Sequence, residues 1–239
     1  MPNALIASQN GNGHQSYAEA DAGRRAKEED LPKAVLLNVA EGLLFDDLAK
    51  DAALRHEAHL TKKPLGPLTS FPGLDRCLGG ALMPGLHIVH GSPGVGKTAF
   101  ALQVAADCQC PAMFVTCEMP PIELLRRIIA RTTRTYLGSL KDGSRTPTNV
   151  LHLARKAAAQ VQMLTILDAT QAPASVEDLY TALDTTRAKS PGNPHALIIV
   201  DSLHSWAEGL GGTGEEYDRI NEACAALRKV AAKLVIPIL

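Results

Sequence analysis

Gly91-Ser92-Pro93-Gly94-Val95-Gly96-Lys97-Thr98 decides how this chain of 239 residues is read. It meets G-x-x-x-x-G-K-[ST] at every fixed position. Leu86-His87-Ile88-Val89-His90 precedes it as a short apolar strand, and residues 99–106, rich in Ala, Leu and Gln, follow it as a helix. Between a strand and a helix, the glycines let backbone N–H groups turn inward with no Cβ in the way, which makes an anion nest at a helix N-terminus. Lys97 can then reach β- and γ-phosphate oxygens, and the Thr98 hydroxyl can ligate Mg²⁺. The whole stretch, Gly91, Ser92, Pro93, Gly94, Val95, Gly96, Lys97 and Thr98, is therefore expected to cradle ATP with Mg²⁺.

Working outward, strands and helices alternate. Strands are expected at residues 86–90, 112–117, 163–168, 196–200 and 235–239, with helices at 97–107, 121–136, 149–161, 176–188 and 215–234. Ala196-Leu197-Ile198-Ile199-Val200 is apolar at every position, as a strand covered on both faces must be. The fold class is therefore α/β, a mostly parallel sheet with helices on both faces. Ser175-x-x-Asp178 reads as a capping box with Asp in place of the usual Glu or Gln. In the last helix Ile220, Cys224, Leu227, Val230 and Leu234 share one face.

Ahead of this core, residues 1–30 read as a disordered tail and residues 31–60 as a short helical segment. Leu36, Val39, Leu43, Leu44 and Leu48 form its apolar face, and Gly42 and Phe45-Asp46-Asp47 allow a split into two helices. Residues 61–68, with Pro64, Gly66 and Pro67, read as a linker, and the core runs over 69–239.

A formal net charge of −1 gives no global pull toward nucleic acid or membrane, so any such contact must come from a local patch. The sequence contains no apolar run long enough to span a bilayer, and Met1 to Gln15 lacks the pattern of a secretory signal. The five cysteines, an odd number without a C-x-x-C pair, read as buried or half-buried thiols in a reducing cytoplasm. His56-Glu57-Ala58-His59 spaces its histidines three apart, which excludes the helical zinc motif.

Two carboxylates end apolar strands. Asp201 closes Leu197-Ile198-Ile199-Val200-Asp201, where an acid near a phosphate loop holds Mg²⁺. Glu118 follows Met113-Phe114-Val115-Thr116-Cys117, where it either orients the water that attacks the γ-phosphate or is a solvated loop residue before Pro120-Pro121. Spacing alone does not separate those two readings.

Thr69-Ser70-Phe71-Pro72-Gly73-Leu74-Asp75, Gly79-Gly80, the phosphate loop and Cys117-Glu118-Met119 together resemble the ATPase domain of the DnaB-type replicative helicases, a family of RecA-like ATPases. Leu164-Thr165-Ile166-Leu167-Asp168, the helix beginning Ser175-Val176-Glu177-Asp178-Leu179, and Leu227 to Pro237 extend the resemblance over residues 65–239. It implies a RecA-like phosphate-loop NTPase core, ATP hydrolysis, DNA helicase activity in replication, and a homo-oligomeric ring, hexameric in the family. It makes Glu118 the catalytic base beside Lys97, with Thr98 and Asp201 on the metal. The family continues past the position of Leu239 into a γ-phosphate-sensing residue and an arginine finger, so the chain reads as truncated there. Asp201-Ser202-Leu203 is closer to the RecA and RadA branch, which keeps RadA- or KaiC-like ATPases as the rival enzyme. An ATP-binding module with little turnover is the non-enzyme rival.

Single-stranded DNA is the expected polymer partner. The loop from Ala207 to Glu216 carries no basic residue, so it binds phosphate through glycine amides or is only a mobile surface loop. Arg127, Arg131 and Arg134 fall on one helix face, and with Arg126, Lys141 and Arg145 form a basic patch opposed only by Asp142. That patch meets nucleic acid or a neighbouring subunit, or is a solvated face. Trp206 is either a stacking group or part of the core.

Overall fold

Among the described residues five parallel strands form one sheet, in the spatial order Gly85–Leu86, Pro237–Ile238, Leu197–Asp201, Ala112–Thr116 and Leu164–Asp168. The strands are β1 (Gly85–Leu86), β2 (Ala112–Thr116), β3 (Leu164–Asp168), β4 (Leu197–Asp201) and β5 (Pro237–Ile238). This computed structural model describes residues 42–211 and 214–239. The expected tail and residues 31–41 of the helical segment lie outside the described residues. The chain divides into two units, Met1–Lys50 and Asp51–Leu239.

The alternation of side chains along each strand builds the two cores. Ala112 and Phe114 of β2 and Leu197 and Ile199 of β4 turn to one face, where they join α3 (Lys97–Asp107), α4 (Pro121–Thr133) and α5 (Pro147–Ala158). Met113 and Val115 of β2 and Ile198 of β4 turn to the other, against α6 (Val176–Arg187), α7 (Leu203–Gly209) and α8 (Glu216–Leu234). Every residue of β2 is buried, which accounts for its unbroken apolar run.

Helix α3 has the bounds read from the sequence, while β1 is shorter than expected. It pairs only with β5, which supplies Pro237 and Ile238 as partners, so residues 88–90 leave the ladder and Ile88 is 61% exposed. Helix α1 (Gly42–Thr61) passes through Phe45–Asp47 without a break, contrary to the split the sequence allowed. Side-chain pairs one turn apart, Lys50 with Asp47 and Arg55 with Asp51, lie along it. Its Leu48 is exposed rather than covered. The short helix α2 (Pro72–Cys77) and a 3₁₀ turn at Leu137–Leu140 were not foreseen.

On α8 the fully buried line is Ala223, Leu227, Val230 and Ala231, with Ile220 and Leu234 half-buried against the same core, and Ala223 takes the inner place expected of Cys224. Cys108 and Cys110 are buried with their sulfurs 3.6 Å apart, but Cys77 is exposed, against the expectation for the thiols.

The capping box of α6 forms as read. Asp178 N–H donates to Ser175 Oγ at 3.1 Å, and the Asp178 carboxylate accepts from Ser175 N–H at 2.8 Å. Ser175→Ala should cost about 1 kcal/mol and lower Tm by about 2–4 °C, read by urea and thermal unfolding with Ser175→Thr as the conservative control.

Candidate active site at the carboxyl edge of the sheet

The phosphate loop leads directly into α3. Gly94 (φ 82°) and Gly96 (φ 100°) occupy the left-handed region, where an L side chain would be strained, and this fixes glycine at both positions. Gly96 is the residue before the helix, and no side chain caps α3. The first-turn N–H groups and the positive end of the helix dipole are therefore directed into the loop, as an anion requires. Lys97 Nζ donates to Gly91 O at 2.8 Å and Ser92 O at 3.2 Å, so its ammonium crosses the loop mouth.

The two acids reach this place from neighbouring strands. Thr116 of β2 lies opposite Asp201 of β4, and Cys117 N–H donates to Asp201 O at 2.8 Å. The Thr116 hydroxyl donates to Met119 O, closing the turn that carries Cys117 and Glu118 past the strand end. Thr98, the second residue of α3, is close enough to Asp201 for its hydroxyl to lower that carboxyl. Lys97, Thr98, Glu118 and Asp201 thus come together at the carboxyl edge of the sheet.

Their electrostatics differ. Burial pushes the Asp201 carboxyl above its ordinary value. The Thr98 hydroxyl opposes that, the Glu118 charge adds to it, and Lys97 and Arg127 pull it back. Hydrogen bonds from Ser202, then Ser205, hold the Glu118 carboxyl below the usual carboxylate range, helped by His204 and Lys97. Burial, with the neighbouring Asp201 and Glu118 charges, pushes the Cys117 thiol up to about 12, so it stays protonated and takes no nucleophilic part.

Several site residues escaped the sequence reading. Ser202 and Ser205 bind Glu118, and the only available signal was an S-x-x-S step typical of a helix N-cap. Arg127, expected on one basic helix face with Arg131 and Arg134, has its Nε buried with no hydrogen-bond partner among the described residues, and its charge lowers the Asp201 carboxyl. Arg134 lies past the end of α4 as its C-cap (φ 53°), so the expected stripe is interrupted. Nor is the basic patch opposed by Asp142 alone. Glu123 pairs with both Arg126 and Lys141, and Asp107 pairs with Arg131. The loop after Asp201 also starts later, because Ala207–Gly209 belong to α7. Trp206 is core, 1% exposed, with Nε1 donating to Ala174 O at 2.9 Å.

The DnaB-like helicase C-terminal domain family matches residues 66–239. The replicative DNA helicase DnaB of Nostoc sp. is 26% identical over 215 residues, covering 88% of this chain and 23% of the relative. That of Synechocystis sp. is 23% identical over 215 residues, covering 88% and 24%. The chain therefore spans about a quarter of the length of these curated relatives. A solved DnaB-like replicative helicase, described with its interactions with primase, superposes with a TM-score of 0.66 at 20% identity. It covers 92% of this chain and 52% of that one, and supports the fold.

Proposed function

The chain belongs to the DnaB-like helicase C-terminal domain family, and on that footing we propose that it is an ATP-hydrolysing motor domain of a DNA helicase. In this reading residues 91–98 bind the triphosphate through backbone N–H groups, and Lys97 moves from its loop carbonyls to the β- and γ-phosphate oxygens. Thr98 and Asp201 would hold Mg²⁺, whose charge when bound screens the phosphate oxygens. A hydroxyl and a single carboxylate suit Mg²⁺, which keeps several of its waters. Glu118 orients a water and accepts its proton as the water oxygen attacks the γ-phosphorus and the bond to the ADP oxygen breaks. One observation carries the reading: the β2–β4 register and the Ser202–Glu118 hydrogen bond set Glu118 beside Asp201 at the carboxyl edge of the sheet, next to the phosphate loop's strand–helix unit.

The wider assignment is of the same kind. Single-stranded DNA is the polymer partner, a hexameric ring the assembly, and the cytoplasm the location. Residues 61–68 serve as a linker and 69–239 as the motor core. Among the described residues no helix is long and apolar enough to cross a membrane.

The test is phosphate release by the full chain with and without Mg²⁺ and single-stranded DNA, alongside sedimentation with an ATP analogue. Metal-dependent turnover, accelerated by the DNA and accompanied by hexamers, is the expected result. Tight analogue binding without turnover would instead make the chain a nucleotide-binding module.

A further inference from the structure

Glu118 does not stand alone at the strand edge. Ser202 Oγ donates to its Oε1, and Ser205 Oγ donates to the same oxygen at 2.8 Å. Among the described residues no protein hydrogen bond reaches Oε2. One carboxylate oxygen is thus tied by two donors, and the other is left to meet a water.

The donors are themselves held. Ser202 is the N-cap of α7 and accepts Ser205 N–H at 3.5 Å, while the two hydroxyls stand 3.2 Å apart. The next residue, Trp206, fixes the helix in the core through its bond to Ala174 O. The buried indole thus anchors the helix whose first turn carries both hydroxyls to Glu118 Oε1.

We propose that Ser202 and Ser205 are positioning residues for ATP hydrolysis, fixing Glu118 through Oε1 so that Oε2 is the oxygen that takes the attacking water. The proposal rests on the reading of Glu118 as the base. Its physical ground is that a base must be held within a fraction of an ångström of productive geometry by its supporting shell. A carboxylate on a flexible side chain at a half-open strand edge has no such restraint of its own. A carboxylate gripped at both oxygens would have none free for water. The arrangement here restrains the group and leaves one oxygen available. Ser202 also joins this clamp to the Asp201 strand end, so the base and the candidate metal ligand share one backbone segment.

The experiment uses the full chain and steady-state ATP hydrolysis. Ser205→Ala is the cleaner variant, because Ser202 also caps α7. It is expected to lower kcat about tenfold with KM and the affinity for a fluorescent ATP analogue within about twofold. Ser205→Thr, which restores a hydroxyl, is expected to return most of the rate. Ser202→Ala should act in the same direction, with a thermal melt separating loss of the cap from loss of the clamp. In a Glu118→Gln background, single-turnover rates should no longer respond to Ser205→Ala, because the serine acts through the carboxylate.

An unchanged kcat in Ser205→Ala, or a full additional loss in the Glu118→Gln background, overturns the proposal while leaving Glu118 as the base. Undiminished hydrolysis by Glu118→Gln itself overturns the underlying reading, and this inference with it.

Discussion

Glu118→Gln is expected to lower ATP turnover by about 10²–10⁴-fold while nucleotide affinity stays within a few-fold. The substitution keeps the shape of the side chain and an oxygen that can still accept from Ser202 and Ser205. What it removes is the negative charge and the ability to take a proton from water. Since hydrogen bonds hold the Glu118 carboxyl below its ordinary value, the group is ionised at neutral pH and ready to accept that proton. Phosphate release under saturating ATP, paired with equilibrium binding of a non-hydrolysable analogue, checks the result. Equal loss of binding and turnover would assign Glu118 a structural place instead.

Lys97→Ala should act at the earlier step. Its ammonium spans Gly91 O and Ser92 O across the loop mouth, and a triphosphate would replace those carbonyls with charged oxygens. Truncation leaves the phosphate without its cation, a loss of about 3 kcal/mol, or more than a hundredfold in Kd. Turnover should disappear with it. Lys97→Arg is expected to rescue poorly, because a planar guanidinium does not replace a compact point charge inside a tight glycine turn. Calorimetric titration with ATP measures the affinity. An unchanged melting temperature shows that the loop itself survives.

Much of this site was legible in the sequence because its chemistry is local. The loop fixes its own strand–helix context, and β2 and β4 announce themselves by apolar runs that end in Glu118 and Asp201. What escaped reading depends on contacts between distant residues or on elements too short to show a period. Helix α7 spans Leu203–Gly209, two turns, and its start looks like the opening of a loop. Arg131 with Asp107, and Lys141 with Glu123, are pairings between separate elements, so the patch looked more basic than it is. The fate of Arg127 was hidden for the same reason. A helix-face count groups it with Arg131 and leaves its partner open, whereas in the fold its Nε is buried and its charge lowers the Asp201 carboxyl. The serine clamp needs β2 and β4 in register before it exists. The departure at Ser202 suggested a different ATPase branch, while in the fold that serine serves as a helix cap and a ligand to the neighbouring glutamate.

The sequence contains a single tryptophan, and it is Trp206. Its indole sits one residue beyond the serine that grips Glu118, with its N–H engaged by a main-chain carbonyl. The protein therefore carries its own optical reporter. Emission excited selectively from tryptophan in the unlabelled chain originates from one known position, sealed from solvent within α7. A change in wavelength or intensity on mixing with nucleotide registers displacement of that helix directly, on the timescale of stopped flow and without a dye.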